Sequence, residues 1–284
     1  MCNTINNNEL KVEDEKTFLS TYNIEQYERP SVTTDITVFT VNKNEGFDCR
    51  KDPELKLNIL LVQRGEHPFI NNWSLPGGFL KPSETIEECA LRNIREKTGV
   101  VPLALMPVGT FSEPERDPRG WVISNAFAFV ASEEQLEIVN GARTIDAEWF
   151  EIDLVNRSSD EYVLSLIRED IKLSATLKET SYKFGKRTFK IIKNDGLAFD
   201  HAKIIASALS ILRSESQNIE VVFDFLPEKF TLAALQKVQE TLTGTPFIAA
   251  NFRRKIAGFV EETDEFTEGM RHRPAKLFKR RNSL

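Results

Sequence analysis

Between Gly77 and Val100 the chain carries glycines, carboxylates and a guanidinium at spacings suited to phosphate and metal chemistry. Gly77-Gly78-Phe79 is followed by Glu84, then by Arg92 with Glu96 four residues further on, and by Gly99-Val100. A helix is expected to hold them. Thr85 is placed to cap it, with Glu88 at the third helical position completing a capping box. Gly99 is placed to end it in a left-handed turn. Ile86, Ala90 and Ile94 recur at i, i+4 and i+8, which makes one apolar stripe for a core. Cys89, Asn93 and Lys97 form a neighbouring stripe with the same period. Glu96 sits at i+4 from Arg92, the spacing of a helical ion pair. Mg²⁺ takes anionic oxygens in near-octahedral geometry, so the amide of Asn93 is a weak ligand and the ammonium of Lys97 is none. Lys97 is instead placed to take a cation's position beside a pyrophosphate.

This set resembles the Nudix box, G-x5-E-x7-R-E-U-x-E-E-x-G-U, where U is apolar. Gly78, Glu84, Arg92, Glu96, Gly99 and Val100 fall on the pattern. The resemblance implies a loop and helix that hold Mg²⁺ against a nucleoside diphosphate. Asn93 and Lys97 stand where that pattern has two glutamates. The departure implies recognition rather than hydrolysis, so no residue of the box is assigned a catalytic role. Glu84 and Glu96 are the pattern's carboxylates left for a metal, and Mg²⁺ is required only if the site is active.

The elements that must position these groups are legible in outline. Residues 32–41 are rich in β-branched side chains, and 57–62 are apolar except for Asn58, at buried-strand length. Residues 42–53 read as a hairpin loop. After the box helix, 108–112, 121–131 and 148–152 read as strands. Residues 162–167, 171–177 and 187–192 alternate like strands and suggest a small β-appendage in an otherwise unassigned linker. The order of strands, helix and strands suits the α/β/α sandwich with a mixed sheet that the Nudix resemblance implies.

Length and composition restrict the class. With 284 residues there is room for one large or two ordinary domains. Hydrophobic content of 40% and charged content of 28% are those of a soluble globular protein. The cysteines, Cys2, Cys49 and Cys89, form no CxxC pair and no even framework, which fits a reducing cytoplasm and no structural zinc. The N-terminus lacks a basic n-region and an apolar h-region, and no apolar run approaches a membrane span. A net charge of −6 would discourage nucleic acid if evenly spread, but residues 271–281 hold six Lys/Arg and no acid.

That basic end follows a helical region. Residues 200–213 read as a helix. Thr231 caps a second, bearing Leu232, Leu235, Val238 and Leu242 and closed by Gly244. A third, about 249–260, is expected to bury Phe252, Ile256 and Phe259, and an acidic turn-rich segment (261–268) and a strand-like end (275–279) follow. Helix, helix and a two-stranded tail describe a winged helix-turn-helix. On the last helix Arg254 lies opposite Phe252 and Ile256, flanked by Asn251, Arg253 and Lys255. A guanidinium and an amide there can read base edges while the flanking cations hold phosphates. Arg271 and Arg273 sit where a wing would turn towards a minor groove.

Several stretches are similar to the Nudix-related transcriptional regulators of the NrtR-like family. They are Phe230-Thr231-Leu232, Gly244-Thr245-Pro246, Asn251-Phe252-Arg253-Arg254-Lys255 and Arg273-Pro274-Ala275, with Leu197-Ala198-Phe199-Asp200-His201 at the start of an interdomain helix. Further N-terminal, Arg64 with His67-Pro68-Phe69, residues 73–79, and Arg116-Asp117-Pro118-Arg119-Gly120-Trp121 agree. The resemblance implies a Nudix domain (29–155) and a winged helix-turn-helix domain (197–284); the polar composition of residues 1–28 reads as a leader, and the linker with a β-appendage (156–196) is the main departure from the family. The resemblance also implies a DNA-binding regulator that senses ADP-ribose or a related nucleotide or sugar phosphate and controls NAD or sugar metabolism genes, working as a cytoplasmic homodimer on a double-stranded operator. The effector pocket would be built from Arg64, Gly77, Gly78, Phe79, Arg116, Asp117, Arg119 and Trp121. The three arginines would supply charge-assisted bonds to a pyrophosphate, and Phe79 or Trp121 would stack on a base or ribose. Ligand would act through a hinge near residues 197–201. The competing expectation is a Mg²⁺-dependent ADP-ribose pyrophosphatase with an appended winged-helix domain.

Overall fold

A computed structural model describes residues 14–43, 55–98, 105–132, 144–183, 186–267 and 274–281. The expected hairpin loop lies outside them from residue 44 to 53, as do Gly99, Arg271 and Arg273 and the side chain of Lys97. The chain divides into a short unit, Met1–Pro30, and a large one, Ser31–Leu284. In the short unit Asp14 caps a helix, α1 (Glu15–Thr21), which a 3-10 turn at Ile24–Gln26 follows.

In the large unit one sheet runs in the order β10-β9-β8-β7-β2-β1-β6-β5. Its strands are β1 (Ser31–Lys43), β2 (Leu55–Arg64), β5 (Met106–Phe111), β6 (Val122–Val130), β7 (Thr144–Asn156), β8 (Glu161–Arg168), β9 (Ile171–Lys183) and β10 (Lys186–Asp195). Two short strands, β3 (Trp73–Ser74) and β4 (Gly77–Phe79), pair with β2 and β1. β1 and β6 run parallel, from Ser31↔Val122 to Phe39↔Val130, and the other ladders are antiparallel, so the sheet is mixed as expected. The strands at 161–195 are not a separate appendage. They continue the main sheet beyond β7, because Leu164, Leu166, Leu173, Ala175 and Leu177 bury the same face as Ile152 and Leu154.

Both faces of the sheet are covered, which gives the α/β/α sandwich. On one side α2 (Ile86–Thr98) lays Ala90 and Ile94, both fully buried, against Ile36, Val38, Leu60, Phe127 and Phe129. On the other, Ile59 and Leu61 join the larger core around α3 (His201–Glu215). This alternation follows from the two-residue repeat of a strand. Nine residues of α3 are buried, from His201 to Leu212. The sheet curls around this helix until Lys186 of β10 donates to the carbonyl of Val108 on β5. The core stripe and the capping box of α2 are both present: Thr85 N–H donates to Glu88 Oε2 (2.7 Å), and Glu88 N–H to Thr85 Oγ1 (3.2 Å).

After α3 the chain forms α4 (Ile219–Phe223), which the sequence reading lacked, then β11 (Lys229–Phe230), α5 (Leu232–Thr243) and α6 (Ala249–Ile256). It ends with β12 (Val260–Phe266) and β13 (Lys276–Arg280), and the small sheet has the order β11-β13-β12. Thr231 caps α5 through Ala234 N–H, and Gly244 closes it with a left-handed φ of 66°. Gln236 and Glu240 fix the turn into α6: the Gln236 amide donates to Phe247 O (2.9 Å), and Phe247 N–H donates to Glu240 Oε1 (2.7 Å). This is a winged helix, with two differences from expectation. The third helix stops at Ile256, so Phe259 is 38% exposed and Val260 is buried in its place. The acidic segment at 261–266 is a strand. Its acids find cross-strand cations, Glu261 with Lys279, Glu262 with Lys276 and Glu265 with Lys229, which offset the low strand preference of glutamate.

Candidate ligand pocket and nucleic-acid interface

β1 carries one buried carboxylate, Asp35, among β-branched neighbours. Ser124 Oγ donates to its Oδ2 (2.6 Å), Arg116 Nη2 to the same oxygen (3.3 Å), and His201 Nε2 lies 3.5 Å from Oδ1. Burial pushes the Asp35 carboxyl up, but His201, Arg116 and Ser124 outweigh it and hold the group at about 2. His201 Nδ1 accepts from Leu75 N–H (2.9 Å), which directs Nε2 towards Asp35. Gly77 lies so close to β1 that a Cβ on it would meet Thr34 O at 2.3 Å and Asp35 Oδ1 at 2.9 Å. Only glycine allows this approach.

An open cleft of about 200 Å³ forms over this centre. Of the residues expected to hold a ligand, Arg64, Gly77, Gly78, Phe79, Arg116, Asp117 and Arg119 all line it. Trp121 does not. It precedes β6, is 54% exposed, and its carbonyl accepts from Ser31 N–H outside the cleft. Arg116 lines the wall in a different role from the one expected. Its guanidinium is almost wholly buried and forms a two-point pair with Asp200 (2.6 and 3.0 Å) besides its bond to Asp35. Arg64 and Arg119 line the cleft without being buried in this way. Asp117 is buried and takes Arg119 Nε (2.9 Å) and Nη2 (2.6 Å), so it orients that arginine and leaves it 44% exposed at the mouth. Arg64 Nε donates to Pro68 O (2.7 Å), and its guanidinium lies 4.8 Å from the centre of the Phe199 ring.

Phe199, Asp200, His201 and Asp35 were not predicted as ligand-site residues. A lone carboxylate in an otherwise apolar or hydroxylated strand was a usable signal, since a buried charge requires partners. The residues at 197–201 do not form a free hinge. Leu197 bridges to Trp73, Ala198 N–H donates to Trp73 O (2.8 Å), and Asp200 and His201 enter the buried polar centre.

The residues around the box do not suit Mg²⁺. Asn93 is buried, and its Nδ2 donates to Cys89 O (2.9 Å) and Thr34 Oγ1 (3.3 Å). Gly78 packs on it, so that a Cβ there would meet Asn93 Oδ1 at 2.6 Å. Glu84 accepts two bonds from Arg92 (2.7 and 3.0 Å) and one from Lys81 N–H (2.9 Å). The Arg92 bonds, helped by Lys81, hold the Glu84 carboxyl at about 2. Glu96 makes the expected i,i+4 contact with Arg92 at 3.7 Å. Among the described residues no group of three His, Cys, Asp or Glu side chains could hold a metal.

At the other end of the unit, α6 buries Phe252 and Ile256 and exposes Asn251, Arg253, Arg254 and Lys255. Arg254 donates to the Asn251 side-chain oxygen, and Lys255 lies 5.8 Å from the centre of the Phe247 ring. The four polar residues expected to meet DNA on this helix thus share its solvent face. The lysines of the wing strands, by contrast, are paired with glutamates.

Comparison with known proteins fits this division. The family profile described as "NUDIX domain" matches residues 48–166, and that described as "NrtR DNA-binding winged helix domain" matches residues 222–279. A protein named ADPR responsive transcriptional repressor NtrR, from Acinetobacter baylyi, is 27% identical over 273 residues, covering 93% of this chain and 88% of that protein. The crystal structure of a MutT/nudix family protein from Enterococcus faecalis superposes with a TM-score of 0.68 at 29% identity, over 94% of this chain and 92% of the other. Shewanella oneidensis NrtR complexed with a 27mer DNA gives a TM-score of 0.61 at 27% identity, over 88% and 93% of the two chains. The chain thus joins a Nudix domain to an NrtR-type winged helix, the arrangement it shares with NrtR-like Nudix-related regulators.

Proposed function

We propose that the chain is a DNA-binding transcriptional regulator whose Nudix pocket senses ADP-ribose or a closely related nucleotide, and that it hydrolyses little or none of it. The observation that carries this reading is the state of Asn93. A residue that stands where the box has a glutamate is buried, bonded to its own helix and to Thr34, and covered by Gly78. Glu84 is taken up by Arg92, so it serves the loop and not a cation. What remains is a cleft with two guanidiniums and two phenylalanine rings, the chemistry of a pyrophosphate joined to flat or apolar groups. The relative named as an ADPR responsive repressor, and the NrtR solved with DNA, support the same reading. Mg²⁺ is not required in it. Genes of NAD or sugar metabolism are the proposed targets, and a cytoplasmic homodimer is the proposed form.

The enzymatic alternative is tested by turnover. Without a metal stabilising charge in the transition state, cleavage falls by several kcal/mol, or several powers of ten. ADP-ribose incubated with the purified chain and Mg²⁺ should stay intact at near the background rate. Robust turnover abolished by Glu96→Gln would replace the regulator-only reading with a hydrolase.

A further inference from the structure

The ring of Phe199 belongs to the segment that begins α3, yet it lies in the cleft. The Arg64 guanidinium lies 4.8 Å from its centre and that of Arg119 at 5.5 Å, while Phe69 packs edge-on at 4.8 Å. Its backbone is left-handed, with φ of 52°. Bulky residues rarely adopt that region, and a strained residue persists where its surroundings hold it. Two like charges are thus gathered on one aromatic ring, and burial together with Arg119 pushes the Arg64 guanidinium below its ordinary value.

The same segment leads to the winged helix by a rigid path. α3 is a continuous helix of 15 residues, about 22 Å long at 1.5 Å per residue. At its far end Ser216 O accepts from Gln239 Nε2 (2.9 Å), and Gln239 is fully buried on α5.

We propose that Phe199 is a ligand-contacting residue of the Nudix pocket and the point at which occupancy reaches α3. In the ligand-free protein its ring contacts both guanidiniums, that of Arg119 being tied as well to Asp117 and to the Phe79 ring at 5.1 Å. A pyrophosphate draws Arg64 and Arg119 to itself and takes those contacts from the ring, so the ring moves and the start of α3 with it. This rests on the sensor reading above and adds the residue that does the sensing.

The test uses the full chain, an operator selected by the wild type from random duplexes, and ADP-ribose as probe. The affinity for ADP-ribose is measured by calorimetry with and without saturating operator. The ratio of the two values is the coupling, typically 5- to 150-fold in proteins whose sites communicate. Phe199→Gly removes the ring and relieves the backbone; Phe199→Leu keeps apolar bulk without a π face. Both should bind operator within about threefold of the wild type, and their coupling should fall to within about threefold of unity. Loss of ring packing alone changes melting temperature but leaves the ratio intact. If Phe199→Gly does not fold, Phe199→Leu decides. A wild-type ratio that survives in the folded variants would overturn the role of Phe199 and leave the sensor reading standing. A wild type with a ratio of one would overturn both.

Discussion

At the scale of single residues the two arginines of the 116–119 loop differ sharply. Arg116 is almost wholly buried between Asp35 and Asp200, while Arg119 is 44% exposed and pairs with Asp117. Removing one partner of a buried pair costs about 3–5 kcal/mol, so Arg116→Ala should lower the melting temperature steeply. Arg119→Ala should lower melting less than Arg116→Ala, the guanidinium it removes being 44% exposed, and should weaken ADP-ribose binding. A charge-assisted bond contributes about 1.5–3 kcal/mol, which is roughly ten- to a hundredfold in affinity. Calorimetry and thermal melts on the two variants separate these outcomes, and unchanged affinity in Arg119→Ala would remove that residue from the pocket. Asp35 supplies a pH signature. Its carboxyl ionises at about 2 against an ordinary 3.8. The unfolded chain therefore binds more protons in that window, and stability rises with pH there. The contribution, on the order of 2 kcal/mol, is fully present above about pH 4 and is lost as pH falls towards 2. Asp35→Asn should be less stable at pH 6, and its deficit relative to wild type should shrink between pH 4 and pH 2. A deficit constant across that range would contradict the assigned ion pairing.

At the scale of elements, what was legible in the sequence was local. The capping box of α2, its apolar stripe, the Thr231 cap and the Gly244 ending of α5 are each written within a few residues, and each is present. What was not legible depends on partners far along the chain. Asp35 meets His201 across 166 positions, and no periodicity announces that. Residues 161–195 alternate like any half-buried hairpin, and whether they extend a sheet or stand apart is decided by β7, not by their own pattern. The acidic strand β12 looked like a turn because its stabilising cations lie on β11 and β13. For DNA, α6 is the element that matters. We propose that Asn251 and Arg254 read base edges there, with Arg253 and Lys255 on phosphates. Arg254→Ala should cost about 1–3 kcal/mol on the selected operator and relax base preference at one position. The same variant on random DNA should lose much less. Equal losses on both would remove Arg254 from base reading.

At the scale of the whole molecule, the buried helix α3 joins two regions that the family resemblance separates. It packs against β10, β5 and β6 on one side of its path and against α5 on another. A ligand alters DNA binding only to the extent that it binds one arrangement of this unit better than another, and a single winged helix offers too little surface for tight specific binding, so two copies on two half-sites about one helical turn apart are expected. The most direct measurement is operator affinity of the full chain at fixed salt, with and without saturating ADP-ribose, while intact ADP-ribose is assayed in the same tubes. Operator affinity is expected to change by at least about fivefold, with the nucleotide recovered unhydrolysed. Unchanged operator affinity, with ADP-ribose consumed, would contradict the sensor reading.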